Sequence, residues 1–233
     1  MGGRRSFSWP GPKWTGVLAD SEILVIVGPT AAGKSARAME YAEREPIAVI
    51  SADSRQIYRG FDIGTAKPSP EDLARVVHFG VNVVEPMEHY SAYQWARDAA
   101  AWIDQARNSG RRPIIVGGTG FYIKSLFDPP YNEPPVEGFR LRPRYEVVDP
   151  GPSLRDHIAT RIDSMLAAGW LDEVKRLMQT VPEDAIAWKS AGYRLMRSHI
   201  RGETSLDFAR ERAIIETRQY AKRQRTWFRH QLT

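Results

Sequence analysis

The chain of 233 residues contains no cysteine, so disulfide cross-links and cysteine-held zinc are excluded. That fits a reducing compartment, and the cytoplasm is the expected location. Long hydrophobic runs are missing too. No stretch approaches the roughly 20 apolar residues that a membrane span requires, and no membrane partner is expected. Charge of one sign is scarce: 33 Lys+Arg stand against 28 Asp+Glu, a net of +5, although 26 of the basic residues are arginine. Such an excess permits a polyanionic partner without demanding one, so the position of the charge matters more than its sum. The opening Met1-Gly-Gly-Arg-Arg-Ser6 fits loose lipidation and twin-arginine patterns. No apolar run follows Arg5, and Trp9-Pro-Gly-Pro12 breaks any helix, so residues 1–20 read as a loose tail or a mis-assigned start.

What is present is enough for one main domain with an appendage, expected as a monomer. Residues 23–27, Ile-Leu-Val-Ile-Val, form a short β-branched run leading into Gly28, which reads as a buried parallel strand. Further strands are expected at 47–50, 81–84 and 113–116, with helices from Lys34 to about Arg44 and over 92–108, where Tyr93, Ala96, Ala99, Ala100 and Ile103 recur at helical spacing. Alternating strands and helices imply an α/β fold, a parallel sheet covered on both faces by helices. Residues 21–127 make this core. Residues 128–152 hold 7 of the 16 prolines and read as a linker or irregular arm with no packed element. From Ser153 to the end the pattern is helical, opening with Ser153 and Asp156 as a capping box.

Between the first strand and helix lies Gly28-Pro-Thr30-Ala31-Ala32-Gly33-Lys34-Ser35, which satisfies G-x-x-x-x-G-K-S/T in the context that motif needs. Backbone N–H groups of such a loop and the positive helix end wrap phosphate oxygens, Lys34 adds a point charge, and the Ser35 hydroxyl can ligate Mg²⁺. The motif says phosphates, not hydrolysis. A nucleotide hydrolase also needs an apolar strand ending in an aspartate, but 114–116 runs into Gly117-Gly-Thr119-Gly120. The acid at a strand's C-terminal edge is Asp53, which should share a crevice with the loop. It could hold metal, take a proton, or simply cap the next turn.

Several blocks together resemble the transfer RNA dimethylallyltransferases. They are the phosphate loop, Ser51-Ala-Asp-Ser-Arg-Gln-Ile-Tyr-Arg-Gly60, Asp62-Ile-Gly-Thr-Ala-Lys-Pro68, Tyr90-Ser91, Val116-Gly-Gly-Thr-Gly120 and Thr217-Arg-Gln-Tyr-Ala-Lys-Arg-Gln-Arg-Thr-Trp-Phe-Arg229. The resemblance implies that dimethylallyl pyrophosphate seats its pyrophosphate on Gly28, Thr30, Ala31, Ala32, Gly33, Lys34 and Ser35 with Mg²⁺. The exocyclic amine of an adenine beside the anticodon of transfer RNA then attacks the allylic carbon, with Asp53 as base and Thr119 as a second polar contact. It also puts Arg161 on the pyrophosphate. The sequence supports that independently: at about 100° per residue, Arg161 falls on the apolar stripe of Leu154, Ile158 and Met165, where a charge needs an anion, either substrate or a structural carboxylate.

For RNA, the resemblance points to Asp53, Ser54, Arg55 and Gln56, with Ser54 and Gln56 suited to a flipped base, and to Lys189, Tyr193 and Arg194. In the last helix Arg218, Lys222, Arg225 and Arg229 recur at spacings of four, three and four, a basic line suited to phosphates or to solvent alone. Tyr220, Ala221, Trp227 and Phe228 are expected in the core. The chain departs from the family in one place. Members carry a helical insertion that grips the anticodon stem, and only the proline-rich segment 128–152 stands there. A free adenine nucleotide as acceptor, a small-molecule kinase, and an RNA-binding protein without catalysis therefore stay open as alternatives.

Overall fold

The computed structural model describes residues 21–130 and 132–231; the expected N-terminal tail lies outside them. Strand β1 (Glu22–Val27) is followed by helix α1 (Lys34–Ala42), β2 (Ile47–Ala52), α2 (Pro70–Arg75), β3 (Val77–Phe79), α3 (Ala92–Asn108), β4 (Arg112–Gly117), α4 (Gly120–Phe127) and β5 (Arg142–Val147). Four helices complete the chain: α5 (Leu154–Ala167), α6 (Trp170–Thr180), α7 (Tyr193–Ile200) and α8 (Leu206–Gln231). The five strands form one parallel sheet in the order β3-β2-β4-β1-β5.

Because successive side chains alternate across a strand, each apolar run feeds two cores. Leu24, Ile26, Val49, Ile114 and Val116 meet Ala38 and Tyr41 of α1 on one face. Ile23, Val25, Val27, Ile50 and Ile115 face a larger cluster that includes α3, α4 and the C-terminal helices. Both faces of β1, β2 and β4 are therefore dry, and these three strands must open their functional groups at their ends. Val27, Ala52, Gly117 and Val147 lie in register, so the loops beyond them emerge side by side.

Three expectations are corrected. The third strand is Val77–Phe79, not 81–84; Gly80 at φ 76° and Asn82 at φ 55° turn the chain out of extended geometry. Val83 and Val84 instead donate to the Ile57 carbonyl at 2.7 and 3.0 Å. Residues 128–152 are no bare linker: they contain β5, paired along the whole of β1. An edge strand tolerates Pro143 because one side of it needs no ladder partner. Glu146 of β5 is anchored by the Arg37 guanidinium and by the Tyr41 hydroxyl at 2.7 Å, both from α1. Finally, Ser153 caps nothing. It ends a 3-10 turn, Gly151–Ser153, in αR conformation, and its hydroxyl donates to the Pro150 carbonyl at 2.9 Å.

Helix α3 matches its expected bounds, with a capping box in which Ser91 accepts from Gln94 N at 3.1 Å and Gln94 answers. Its buried face centres on Trp95, fully buried, with Tyr93 only half-buried.

Candidate active site

The phosphate loop starts where β1 can no longer carry a side chain. A Cβ on Gly28 would lie 2.0 Å from the Val148 carbonyl oxygen, and φ there is +150°. Ala31 at φ 61° and Gly33 at φ 92° turn the loop inward, and Gly33 precedes α1 with no side-chain cap. The first N–H groups of a helix have no intrahelical acceptor. Here they face the crevice together with the positive helix end, an anion seat. Not every loop N–H is available, however. Thr30 N–H donates to Gln224 Oε1 at 2.8 Å and Ala32 N–H to the Pro29 carbonyl at 3.3 Å. Thr30 and Ala32, expected among the pyrophosphate contacts, thus have their backbone donors engaged within the protein.

Lys34 folds back to donate to the Pro29 carbonyl at 2.8 Å. Burial pulls its ammonium down to about 8; Asp53 opposes that fall and Arg161 adds to it. Arg161 is likewise lowered by burial and held up by Asp53. It makes no ion pair with a carboxylate within 4 Å among the described residues, so the structural-carboxylate reading of its place on α5 is not met. Ile158, Ile162 and Met165 bury the helix around it. Two cations and one carboxylate thus converge on the loop, an excess of positive charge suited to an anion.

Asp53 sits one residue past β2, where Asp53 Oδ1 accepts the Arg55 N–H at 2.8 Å. Thr119, two residues past β4, is locked beside it: its N–H donates to the Ala52 carbonyl at 3.0 Å and its Oγ1 accepts the Ser54 N–H at 3.0 Å. The loop, Asp53, Arg161, Lys67, His157 and Gln224 line a cavity of about 430 Å³. A second chamber of about 70 Å³ adjoins it, walled by Ile158, Ile162, Met165, Trp170 and Ala213 with Arg55, Thr217 and Tyr220 at its polar side. Thr30, Asp53 and Arg161 line both. The carboxylate therefore stands at the junction of a charged compartment and an apolar one.

The RNA-facing expectations divide. Lys189, Arg194, Arg218, Lys222 and Arg229 are exposed, and Ser54 and Arg55 half-buried. Arg225 breaks the basic line: its guanidinium grips Asp149, with Nε at 2.8 Å, and donates to the Gly151 carbonyl at 2.7 Å. Tyr193 is fully buried and cannot reach RNA; its hydroxyl donates to Glu173 at 2.6 Å and accepts the Gly64 N–H at 3.1 Å. Gln56 is engaged at both ends of its amide, accepting from Ser51 Oγ at 2.9 Å and donating to the Ala66 carbonyl at 2.9 Å. It braces the loop behind Asp53 instead of reaching for a base. Tyr220, expected in the core, lines the second chamber. Burial and the nearby Asp53 push its hydroxyl up, against Arg55 and a hydrogen bond with Thr119.

Two buried polar residues escaped the sequence reading. Glu173 of α6, 1% exposed, accepts the N–H groups of Asp62 and Ile63 at 3.0 and 2.7 Å, fixing the Asp62–Pro68 block. Gln224 of α8 is 6% exposed. Both stand on the apolar stripe of their helices, the same signal that singled out Arg161.

A loop of the G-x-x-x-x-G-K-S pattern at the head of a parallel sheet, lacking an acid at the end of β4 but carrying one at the end of β2, defines a P-loop α/β protein. Comparison with known proteins narrows the class. The model of the family described as IPP transferase matches residues 56–147 and 131–231, and that of isopentenyl transferase matches residues 21–81. The tRNA dimethylallyltransferase of Cyanothece sp. is 33% identical over 266 residues, covering 89% of each chain, and that of Bordetella petrii is 35% identical over 281, covering 90% of each. The crystal structure of the tRNA isopentenylpyrophosphate transferase of Bacillus halodurans superposes with a TM-score of 0.79 at 27% identity, over 90% of this chain and 87% of that one. The chain belongs to the IPP transferase family. An alignment of 266 positions is longer than the 233-residue chain itself, so these relatives carry inserted sequence that it lacks.

Proposed function

We infer that this protein transfers the dimethylallyl group of dimethylallyl pyrophosphate to an adenine of transfer RNA, at the exocyclic amine of the base next to the anticodon. The observation that carries this reading is the placement of Asp53 between the charged compartment and the apolar chamber. A prenyl diphosphate has those two characters, joined at the carbon that reacts.

In the reaction, the pyrophosphate lies on the loop with Lys34 and Arg161, and the prenyl tail enters the chamber of Ile158, Ile162 and Met165. The allylic C–O bond breaks as the adenine nitrogen bonds to the same carbon. Negative charge grows on the leaving pyrophosphate beside Arg161 and the N–H groups at the start of α1, and Lys34 joins them by exchanging its bond to the Pro29 carbonyl for one to a phosphate oxygen. The nitrogen's surplus proton passes to Asp53. An adenine amine is a poor nucleophile because its lone pair is delocalised, and a positioned base is worth about 10²–10⁴ in rate. Thr119, held by Ser54 N–H and Ala52 carbonyl, orients the same end.

The residues fit Mg²⁺. Among the described residues no group of three or more His, Asp or Glu could cage an ion alone, whereas Mg²⁺ takes one or two protein oxygens with substrate phosphates and water. Ser35 is exposed on the first turn of α1 and would hold it; when bound, the ion neutralises charge on the pyrophosphate. Among the described residues no helix is long and apolar enough to cross a membrane, and we read the protein as a cytoplasmic monomer.

The test is to incubate purified protein with Mg²⁺ and labelled dimethylallyl pyrophosphate, offering unmodified transfer RNA or AMP in parallel. Label is expected in transfer RNA and lost with Asp53→Ala. Label on AMP alone would overturn the acceptor, and ATP consumption without prenyl transfer would replace the reading with a kinase.

A further inference from the structure

We propose that Gln224, a buried residue of α8, is a positioning residue that clamps the phosphate loop to the glycine turn and so sets the geometry of the pyrophosphate seat. Its amide makes two long-range bonds. Oε1 accepts the Thr30 N–H at 2.8 Å and Nε2 donates to the Gly118 carbonyl at 2.8 Å. The orientation of the amide is dictated by chemistry, since a backbone N–H can only donate and a carbonyl only accept. A single side chain from the C-terminal helix therefore ties the loops after β1 and β4, which carry the pyrophosphate seat and Thr119 respectively.

The glycine turn is shaped to admit it. A Cβ on Gly118 would lie 2.2 Å from Gln224 Nε2, so any larger residue there displaces the amide. Thr30 lines both compartments of the site. Releasing its half-buried N–H would remove that tether and leave the loop free to turn away from the anion. Gln224 also lines the larger cavity itself, so it shares the compartment it shapes. The effect should fall on the prenyl donor and not on RNA, because the exposed basic residues of α8 lie on its outer face.

This inference rests on the pyrophosphate reading of the loop, and the two are separable. Binding of inorganic pyrophosphate to wild-type protein with Mg²⁺ tests the reading, and no binding would sink both. Gln224→Met keeps the volume and removes both bonds. Its KM for dimethylallyl pyrophosphate should rise on the order of tenfold, as for a buried hydrogen-bonding group left unpaired, while its KM for transfer RNA stays within twofold.

Gln224→Glu adds a pH readout. Only the protonated carboxyl reproduces the donor and acceptor pair, so the ratio of variant to wild-type donor KM should shrink as pH falls. Gly118→Ala should raise donor KM in the wild-type background and add less in a Gln224→Ala background, where the amide clash is gone and only the Gly28 carbonyl oxygen at 3.3 Å remains. A Gln224→Met protein with unchanged donor KM would overturn the proposal. So would equal rises in both KM values accompanied by a lowered Tm, which would make Gln224 a stability residue only.

Discussion

The two walls of the crevice are made differently. One is the sheet edge, where Gly28–Ser35, Asp53 and Thr119 each lie within eight residues of a strand end, three ends in register. The other is helical: Arg161 comes from α5, and Gln224 and Tyr220 from α8, over a hundred positions away from the loop. The edge wall carries the phosphate loop and the Asp53 carboxylate. The helical wall closes the seat, adds the second cation and shapes the apolar chamber. A strand-edge group is placed by its own neighbours along the chain, whereas a helix-borne group is placed by the packing of the whole C-terminal layer.

Perturbations that act on one wall at a time would sharpen this contrast. The largest effect belongs to the edge wall: Asp53→Ala should lower kcat by about 10²–10⁴ with donor KM within a few fold, and single-turnover kinetics would show it. A donor KM collapse with kcat intact would instead make Asp53 a binding residue. Next comes Arg161→Ala on the helical wall. It should raise donor KM by roughly 10–100-fold, the range for a lost bond to a charged group, with Tm held. If the helix were merely tethered by Arg161, Tm would drop and KM would not move.

Arg225→Ala tests whether the helical wall is held from outside the site. It leaves Asp149, whose side chain is 6% exposed, with the Gly151 N–H at 2.9 Å but no cation, and should cost about 2–3 kcal/mol in urea unfolding, given that the arginine is itself partly exposed. Smaller is the pH effect at Lys34. With its ammonium at about 8, the charge is present below that pH and lost above it, so donor KM should be flat from pH 6.5 to 7.5 and climb toward tenfold per unit beyond 8. Lys34→Arg, always charged, should abolish that climb. Smallest is Lys222→Ala on the outer face of α8, which should leave stability within about 0.5 kcal/mol. It should also reduce the slope of log affinity for transfer RNA against log salt by roughly 0.7–0.9; an unchanged slope would leave that face to solvent.

Much of the edge wall is legible in the sequence. Residues 23–27 and 114–116 are unbroken apolar runs, and a strand buried on both faces must deliver its polar groups at its end. Arg161 is legible for a related reason, as a charge on an apolar stripe. Arg225 misleads because its neighbours Arg218 and Lys222 share its helical face in projection, and only the position of Asp149 shows which of them is engaged. Tyr193 misleads for the converse reason. Its hydroxyl finds Glu173 in the core, and a satisfied phenol packs as an aromatic. Edge strand β5 hides behind its prolines, since proline argues against a central strand but not against an edge.

The amino-acid order by itself determined the phosphate loop, the acid just past β2, the α/β class and the helical C-terminal third, because each depends on hydrophobic period and turn chemistry within a few residues. The tertiary structure alone decided which polar side chains on α5, α6 and α8 meet the site and which meet one another. Those choices depend on pairs separated by tens to hundreds of positions, and no local spacing encodes the distance between them.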